Sequence, residues 1–191
     1  MRENAKQYYL DLWNTMQLRP ECMDTINGYV KKLLRFKERY EAVEEKTGVP
    51  WYVIGVIHGM EAGFDFAGYL GNGDPWNKTS THEPEGRGPF DSWEEGAVDA
   101  LTMPQIRDAE PTEWNISGIA YYLESYNGWG YADQNINSAY LWSFSQHYTS
   151  GKYIADRVWS DTAISDQCGA MVQLKRLLEL RPDIKIPEAT I

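Results

Sequence analysis

Two carboxylates thirteen residues apart, Glu61 and Asp74, are the side chains whose type and spacing best suit chemistry in this sequence. Glu61 closes an almost wholly apolar stretch, Val49-Pro50-Trp51-Tyr52-Val53-Ile54-Gly55-Val56-Ile57-His58-Gly59-Met60-Glu61-Ala62-Gly63-Phe64. That stretch reads as a helix with Pro50 at its first position and Gly63 as its stop. An acid in the last turn of a buried helix meets the negative end of the helix dipole and apolar neighbours. Both disfavour its ionised form, as a general acid working near neutral pH requires. The competing reading is a glutamate that points to solvent, as most do.

Asp74 lies in Asn72-Gly73-Asp74-Pro75. It suits a general base or an electrostatic stabiliser, and equally a turn residue, because all four are turn formers. Glu83, Glu85 and Asp91 are weaker candidates: Asp91 suits a helix cap and Glu85 a loop charge. Thr79, Ser80 and Thr81 place three hydroxyls in the same polar stretch. His58 stands one helical turn before Glu61 on the same face. It could contact substrate or tune the acid, or be a satisfied structural histidine.

The elements that must position these groups follow from periodicity and breakers. Residues 3–18 read as a helix with Tyr8, Tyr9, Leu12, Trp13 and Met16 on its apolar side, broken by Arg19-Pro20. Residues 21–46 continue the helical spacing until Thr47-Gly48. From 64 to 90 the spacing disappears among Gly, Pro, Asn, Asp, Ser and Thr, which predicts an irregular lobe with a small β-hairpin. Asp91 or Ser92 caps a helix running to about Met103. Further helices are expected over 111–125, 137–148 and 162–180, and a loosely held tail from Arg181. The loop Tyr126-Asn127-Gly128-Trp129-Gly130-Tyr131 lies between the first two of these.

A length of 191 residues, 42% hydrophobic and 14% aromatic, suits one domain with a helical extension and a sizeable core. The net charge of −10 comes without a basic stripe, which argues against nucleic acid as a partner. No stretch reaches the roughly 18 apolar residues of a membrane span. Met1-Arg2-Glu3-Asn4-Ala5-Lys6 is not a secretory signal, so synthesis in the cytoplasm is expected, with a pore or other route to any target outside it. Cys22 and Cys168 are far apart and read as buried free thiols rather than a disulfide. His58, His82 and His147 lack zinc-site spacing, and no metal or cofactor is expected. There is no Gly-x-Ser-x-Gly elbow, phosphate loop or GxGxxG.

Ile57-His58-Gly59-Met60-Glu61-Ala62-Gly63-Phe64 resembles the Glu-Ser/Ala-x-Phe signature of lytic transglycosylases and goose-type lysozymes, and Tyr126-Asn127-Gly128 is similar to their later Tyr-Asn-Ala/Gly motif. Asn72-Gly73-Asp74-Pro75, Gly86-Arg87, Tyr140-Leu141-Trp142 and Tyr148-Thr149-Ser150-Gly151-Lys152-Tyr153 add a resemblance to phage endolysin-like members of the lysozyme-like superfamily. The motifs span about 50–156; the first 45 residues carry none. The resemblance implies an α+β, mostly α, lysozyme-like fold: an N-terminal helical extension (1–46), then a catalytic domain (47–191) with its β-hairpin lobe after the Glu61 helix. It implies a glycosidase that cleaves peptidoglycan glycan strands; a monomer without stable membrane insertion is expected. Glu61 would be the acid and Asp74 the second catalytic group. His58, Trp76, Thr81, Tyr126, Asn127, Trp129 and Tyr131 would bind substrate, since sugar rings pack on aromatic planes. Tyr140, Trp142 and Trp159 suit packing instead. Water attack giving a reducing end and intramolecular attack giving an anhydro-sugar both remain open, as do a chitinase-like enzyme and a non-catalytic glycan-binding or virion module.

Overall fold

The computed structural model describes residues 5–155 and 158–188, a mostly helical chain with one small antiparallel sheet. The helices are α1 (Ala5–Thr15), α2 (Met23–Arg35), α3 (Lys37–Thr47), α4 (Trp51–Glu61), α5 (Trp93–Thr102), α6 (Pro104–Arg107), α7 (Ile116–Asn127), α8 (Gly130–Asp133) and α9 (Ala139–Trp142). Strands β1 (Lys152–Ala155) and β2 (Val158–Ser160) follow, and then α10 (Ala170–Leu180). The described chain divides into two compact units, Lys31–Ala109 and residues 5–30 with 110–188. The division expected at 46/47 is not a boundary between these units, because α3 and α4 both lie in Lys31–Ala109 and pack on each other. Among the described residues no helix is long and apolar enough to cross a membrane.

In Lys31–Ala109 the centre is α4, in which every residue from Trp51 to Met60 is buried. A helix apolar all round forms only where neighbours cover every face. Its approach to α2 and α3 depends on Gly55, where a Cβ would stand 2.9 Å from Leu33 Cγ on α2 and 3.1 Å from a Tyr40 ring carbon on α3. Pro50 is the residue before the helix rather than its first, and its carbonyl accepts from Val53 and Ile54 N–H. The helical run expected over 21–46 is interrupted at Phe36 (φ −104°, ψ 11°), whose ring meets Phe66 edge-on at 4.9 Å. Tyr40, His58, Phe66 and Trp93 form one aromatic cluster, with the Arg39 guanidinium 3.6 Å from the Phe66 ring centre and Nε 2.6 Å from Glu94 Oε1. Trp93 is 2% exposed at the heart of this cluster. Trp93→Ala is expected to lower the unfolding free energy by about 3–5 kcal/mol, read from urea denaturation midpoints.

The lobe between α4 and α5 is not the β-hairpin expected. Its only bridge is the isolated antiparallel pair Gly68–Pro75, and turns, side-chain bonds and a few backbone bonds outside any strand, such as Ser80 N–H to Arg87 O (2.8 Å) and Phe90 N–H to Trp76 O (2.9 Å), occupy the rest. The caps before α5 follow the sequence expectation: Ser92 Oγ accepts from Glu95 N–H at 3.1 Å, while Glu95 Oε2 accepts from Asp91 N–H at 2.8 Å. Asp91 therefore contributes its backbone rather than its carboxylate.

In the other unit α1 packs on α7, and α9 packs on α7 and α10. Lys175 Nζ donates to the carbonyls of Trp13 (3.2 Å) and Met16 (2.9 Å), placing a cation at the C-terminal end of α1. The helix expected from 111 begins at Ile116, because Asn115 Oδ1 accepts from Gly118 N–H (3.0 Å) and Pro111 seats against Gly118. The helix expected over 137–148 stops after Trp142. Ser145 Oγ donates to Trp142 O at 2.7 Å, a local bond that competes with helix continuation. The helix expected from 162 starts only at Ala170, since Gly169 lies so close to Leu141 that a Cβ would come within 2.5 Å of its carbonyl oxygen. The sheet is formed by Lys152–Ala155 and Val158–Ser160, pairing Tyr153 with Trp159 across β1 and β2. Both cysteines are free, Cys168 buried and Cys22 half-buried.

Candidate functional site

Glu61 is the last residue of α4 and is half-buried, the first residue of that helix to reach solvent. Its neighbourhood is set by backbone packing. Ala62 N–H and Phe64 N–H both donate to His58 O, turning the chain sharply out of the helix. The Gly68–Pro75 turn then folds back onto the helix end. Gly73 (φ +80°) lies so close that a Cβ would stand 2.9 Å from Glu61 O. Only glycine combines that approach with a left-handed φ at low cost. Asp74 follows at the next Cα, about 3.8 Å along the chain, so the acid and the aspartate share one small region of this unit.

Asp74 is the hub of the lobe. Its Oδ2 accepts from Thr81 N–H (2.8 Å), His82 N–H (3.0 Å), Ser80 Oγ (3.1 Å) and, more weakly, Thr81 Oγ1 (3.4 Å). Its Oδ1 pairs with His82 Nδ1 at 2.7 Å. The His82 imidazole first, then the N–H groups of Thr81 and His82, hold the Asp74 carboxyl far below the usual carboxylate range. A carboxylate bound this firmly remains charged and is a poor acceptor for a further proton, so stabilising positive charge suits it and general-base work does not. The Asn72 side chain completes the knot: Oδ1 accepts from Asp74 N–H (3.0 Å), while Nδ2 donates to Ser80 Oγ (2.6 Å) and His82 O (2.9 Å).

His58 is fully buried: Nδ1 lies 2.9 Å from Tyr40 Oη and Nε2 3.2 Å from Asp65 O. Burial pulls its pKa down to about 4, against weaker opposition from the Asp65 carbonyl. The substrate-contact reading of His58 is therefore corrected: it is a neutral core histidine that ties the chain after α4 back to α3. Trp76 is half-exposed in the lobe, and its Nε1 donates to Phe66 O at 2.8 Å. Thr81 is exposed but turns both N–H and Oγ1 toward Asp74. Ser80 is buried, while Thr79, Glu83 and Glu85 are exposed.

The remaining candidates belong to the other unit. Tyr126 and Asn127 end α7 rather than opening a loop, and both are half-buried. Trp129 is half-buried against the Tyr121 ring at 5.0 Å. Tyr131 is 9% exposed, edge-on to Tyr153 and Trp159, so it fills the space between α8 and the sheet rather than offering a face to a ligand.

Two arrangements were missed at the sequence level. Arg87 grips the Asp99 carboxylate through Nε (2.9 Å) and Nη2, and Tyr69 Oη donates to the same carboxylate at 2.8 Å, clasping the lobe to α5. The second is the Asp74–His82 pair, for which an aspartate and a histidine eight residues apart in a turn-forming stretch were the available signal. Among the described residues no group of three or more His, Cys, Asp or Glu side chains gathers as a metal would need. No protein-family model, curated protein or solved structure matches the chain.

Proposed function

We propose that this protein is a lysozyme-like glycosidase that cleaves the glycan strands of bacterial peptidoglycan, with Glu61 as the general acid, in the manner of a phage endolysin. The observation that carries the reading is Glu61 itself, the one half-buried acid at the end of an otherwise buried helix, with an aspartate held below the usual carboxylate range on the turn that packs against the Glu61 main-chain carbonyl. Breaking a sugar–sugar bond requires a proton on the departing oxygen and negative charge near the cationic sugar that forms. Glu61 supplies the first and Asp74 the second. The half-exposed Trp76 indole adds an aromatic plane in the same unit. The protein would act on the wall after leaving the cytoplasm by a pore or other route.

A second mechanism within this reading is favoured by the same Asp74 bonds. An aspartate saturated by donors leaves Glu61 as the sole proton-transfer carboxylate; with no other base at the site, the sugar's own groups would attack and an anhydro end would be released. The test is turbidity of purified cell walls together with mass analysis of the released fragments. Wild type should clear walls and release muropeptides without digesting chitin, and Glu61→Gln should not clear them. Equal traces for the two proteins would sink the enzymatic reading and leave a glycan-binding or virion module.

A further inference from the structure

Asp74 does not stand alone at this site, and the group it holds is better suited to proton transfer than it is. We propose that His82, held by Asp74, is the general base that activates the attacking water, and that Asp74 is its positioning residue. This rests on the glycosidase reading above and assigns its second proton-transfer group.

The geometry favours that division of labour. Asp74 Oδ1 lies 2.7 Å from His82 Nδ1, and the Asp74 side chain is only 13% exposed while that of His82 is 72% exposed. The carboxylate is fixed from its other side by Ser80, Thr81 and the His82 backbone, so the imidazole hangs on a rigid acceptor. A carboxylate on Nδ1 selects the tautomer with the proton on that nitrogen, which leaves Nε2 as the lone-pair nitrogen. An aspartate that orients a histidine, and a histidine that does the proton transfer, is a recurring solution to making a base from a strongly held acid. Gly73 packs on the Glu61 carbonyl one residue before Asp74, which keeps the pair in the neighbourhood of the acid.

In the step itself, His82 Nε2 takes a proton from water as the water oxygen bonds to the anomeric carbon. The glycosidic C–O bond breaks, and Glu61 gives its proton to the departing oxygen. One water is consumed and a reducing end forms. Solvent then removes the proton from the imidazolium and returns one to Glu61.

Three measurements bear on it. Long-range nitrogen–proton NMR spectra should show His82 protonated at Nδ1 and bare at Nε2 in the wild type, with this preference lost in Asp74→Asn. His82→Ala should slow wall clearance by about 10²–10⁴-fold, and free imidazole should restore a measurable part of that rate, which a purely structural loss would not allow. Wild-type fragments should carry reducing ends. Wild-type rates in His82→Ala, a protonated Nε2 in the wild type, or anhydro ends from the wild type would each overturn the proposal. A wild type that clears no faster than Glu61→Gln condemns instead the glycosidase reading beneath it.

Discussion

Glu61→Gln is expected to cut the rate of wall clearance by about 10²–10⁴-fold, equivalent to about 3–5 kcal/mol of barrier. Glutamine keeps the length and shape of the side chain and cannot give up a proton. Glu61 sits half-buried at the end of α4, outside the all-buried stretch Trp51–Met60 that holds the helix in place. The variant should therefore melt close to wild type, within about 1 kcal/mol, as substitutions away from the core usually do. Clearance rates and thermal melts on the same preparations check both halves. A large loss of rate with an unchanged melt assigns the loss to chemistry, whereas a variant as active as wild type removes Glu61 from the mechanism.

Acid is expected to weaken the fold in two successive windows. The first belongs to His58. In the unfolded chain it takes a proton near pH 6.5, while in the core it refuses one until about pH 4. Between those values the unfolded state binds more protons, so unfolding free energy falls as pH falls, by about 3 kcal/mol across the window. Below about pH 4 this group contributes no further slope. Asp74 acts lower still. Its carboxyl is depressed in the folded state, so its contribution is complete above the ordinary aspartate range, about pH 4, and is lost as pH drops beneath it. Urea melts taken from pH 7 to pH 3.5 should show the first decline already in progress by pH 5. His58→Gln should be less stable at pH 7 and should lose most of the slope between pH 6.5 and 4; a variant that keeps the full slope would remove His58 as its source.

The placement of Glu61 was legible because a run of apolar residues with one acid at its end admits few arrangements: a helix buried on all sides, and an exit where the acid lies. The Ser92 cap was legible for a similar reason, since its partner Glu95 stands three residues on. The lobe was not legible. Its order comes from side chains of Asn72, Asp74 and Ser80 bonding across a turn, together with scattered backbone bonds such as Ser80 N–H to Arg87 O, and neither leaves a periodic trace. Turn-rich composition suggested a hairpin there, whereas the actual strands are short and lie at Lys152–Ala155 and Val158–Ser160. Phe36 continued the apolar spacing of a single helix through 21–46, and only its contact with Phe66, distant in sequence, shows why the helix breaks. The same holds for Tyr131: an aromatic between glycine-rich turns resembles a ligand platform until Tyr153 and Trp159 are seen to cover it. His58 had the right position for a site residue, and its burial between Tyr40 and Asp65 decided otherwise.

The knot around Asn72 also sets how this protein ages. An asparagine followed by glycine is the dipeptide most prone to deamidate, because the glycine nitrogen can close on the side-chain amide unhindered by a side chain of its own. Here that nitrogen donates to Tyr69 O at 2.8 Å, and the Asn72 amide is committed to Ser80 and His82. Ring closure must break those bonds first, so the intact lobe shelters its most labile peptide. Once deamidated, position 72 would carry a carboxylate facing the acceptors it formerly satisfied, and the lobe could not re-form as before. Storage of wild type and Asp74→Asn side by side, followed by peptide mass mapping, should find deamidation at Asn72 several-fold faster in the variant. Equal rates would mean that the Asp74 knot gives no shelter.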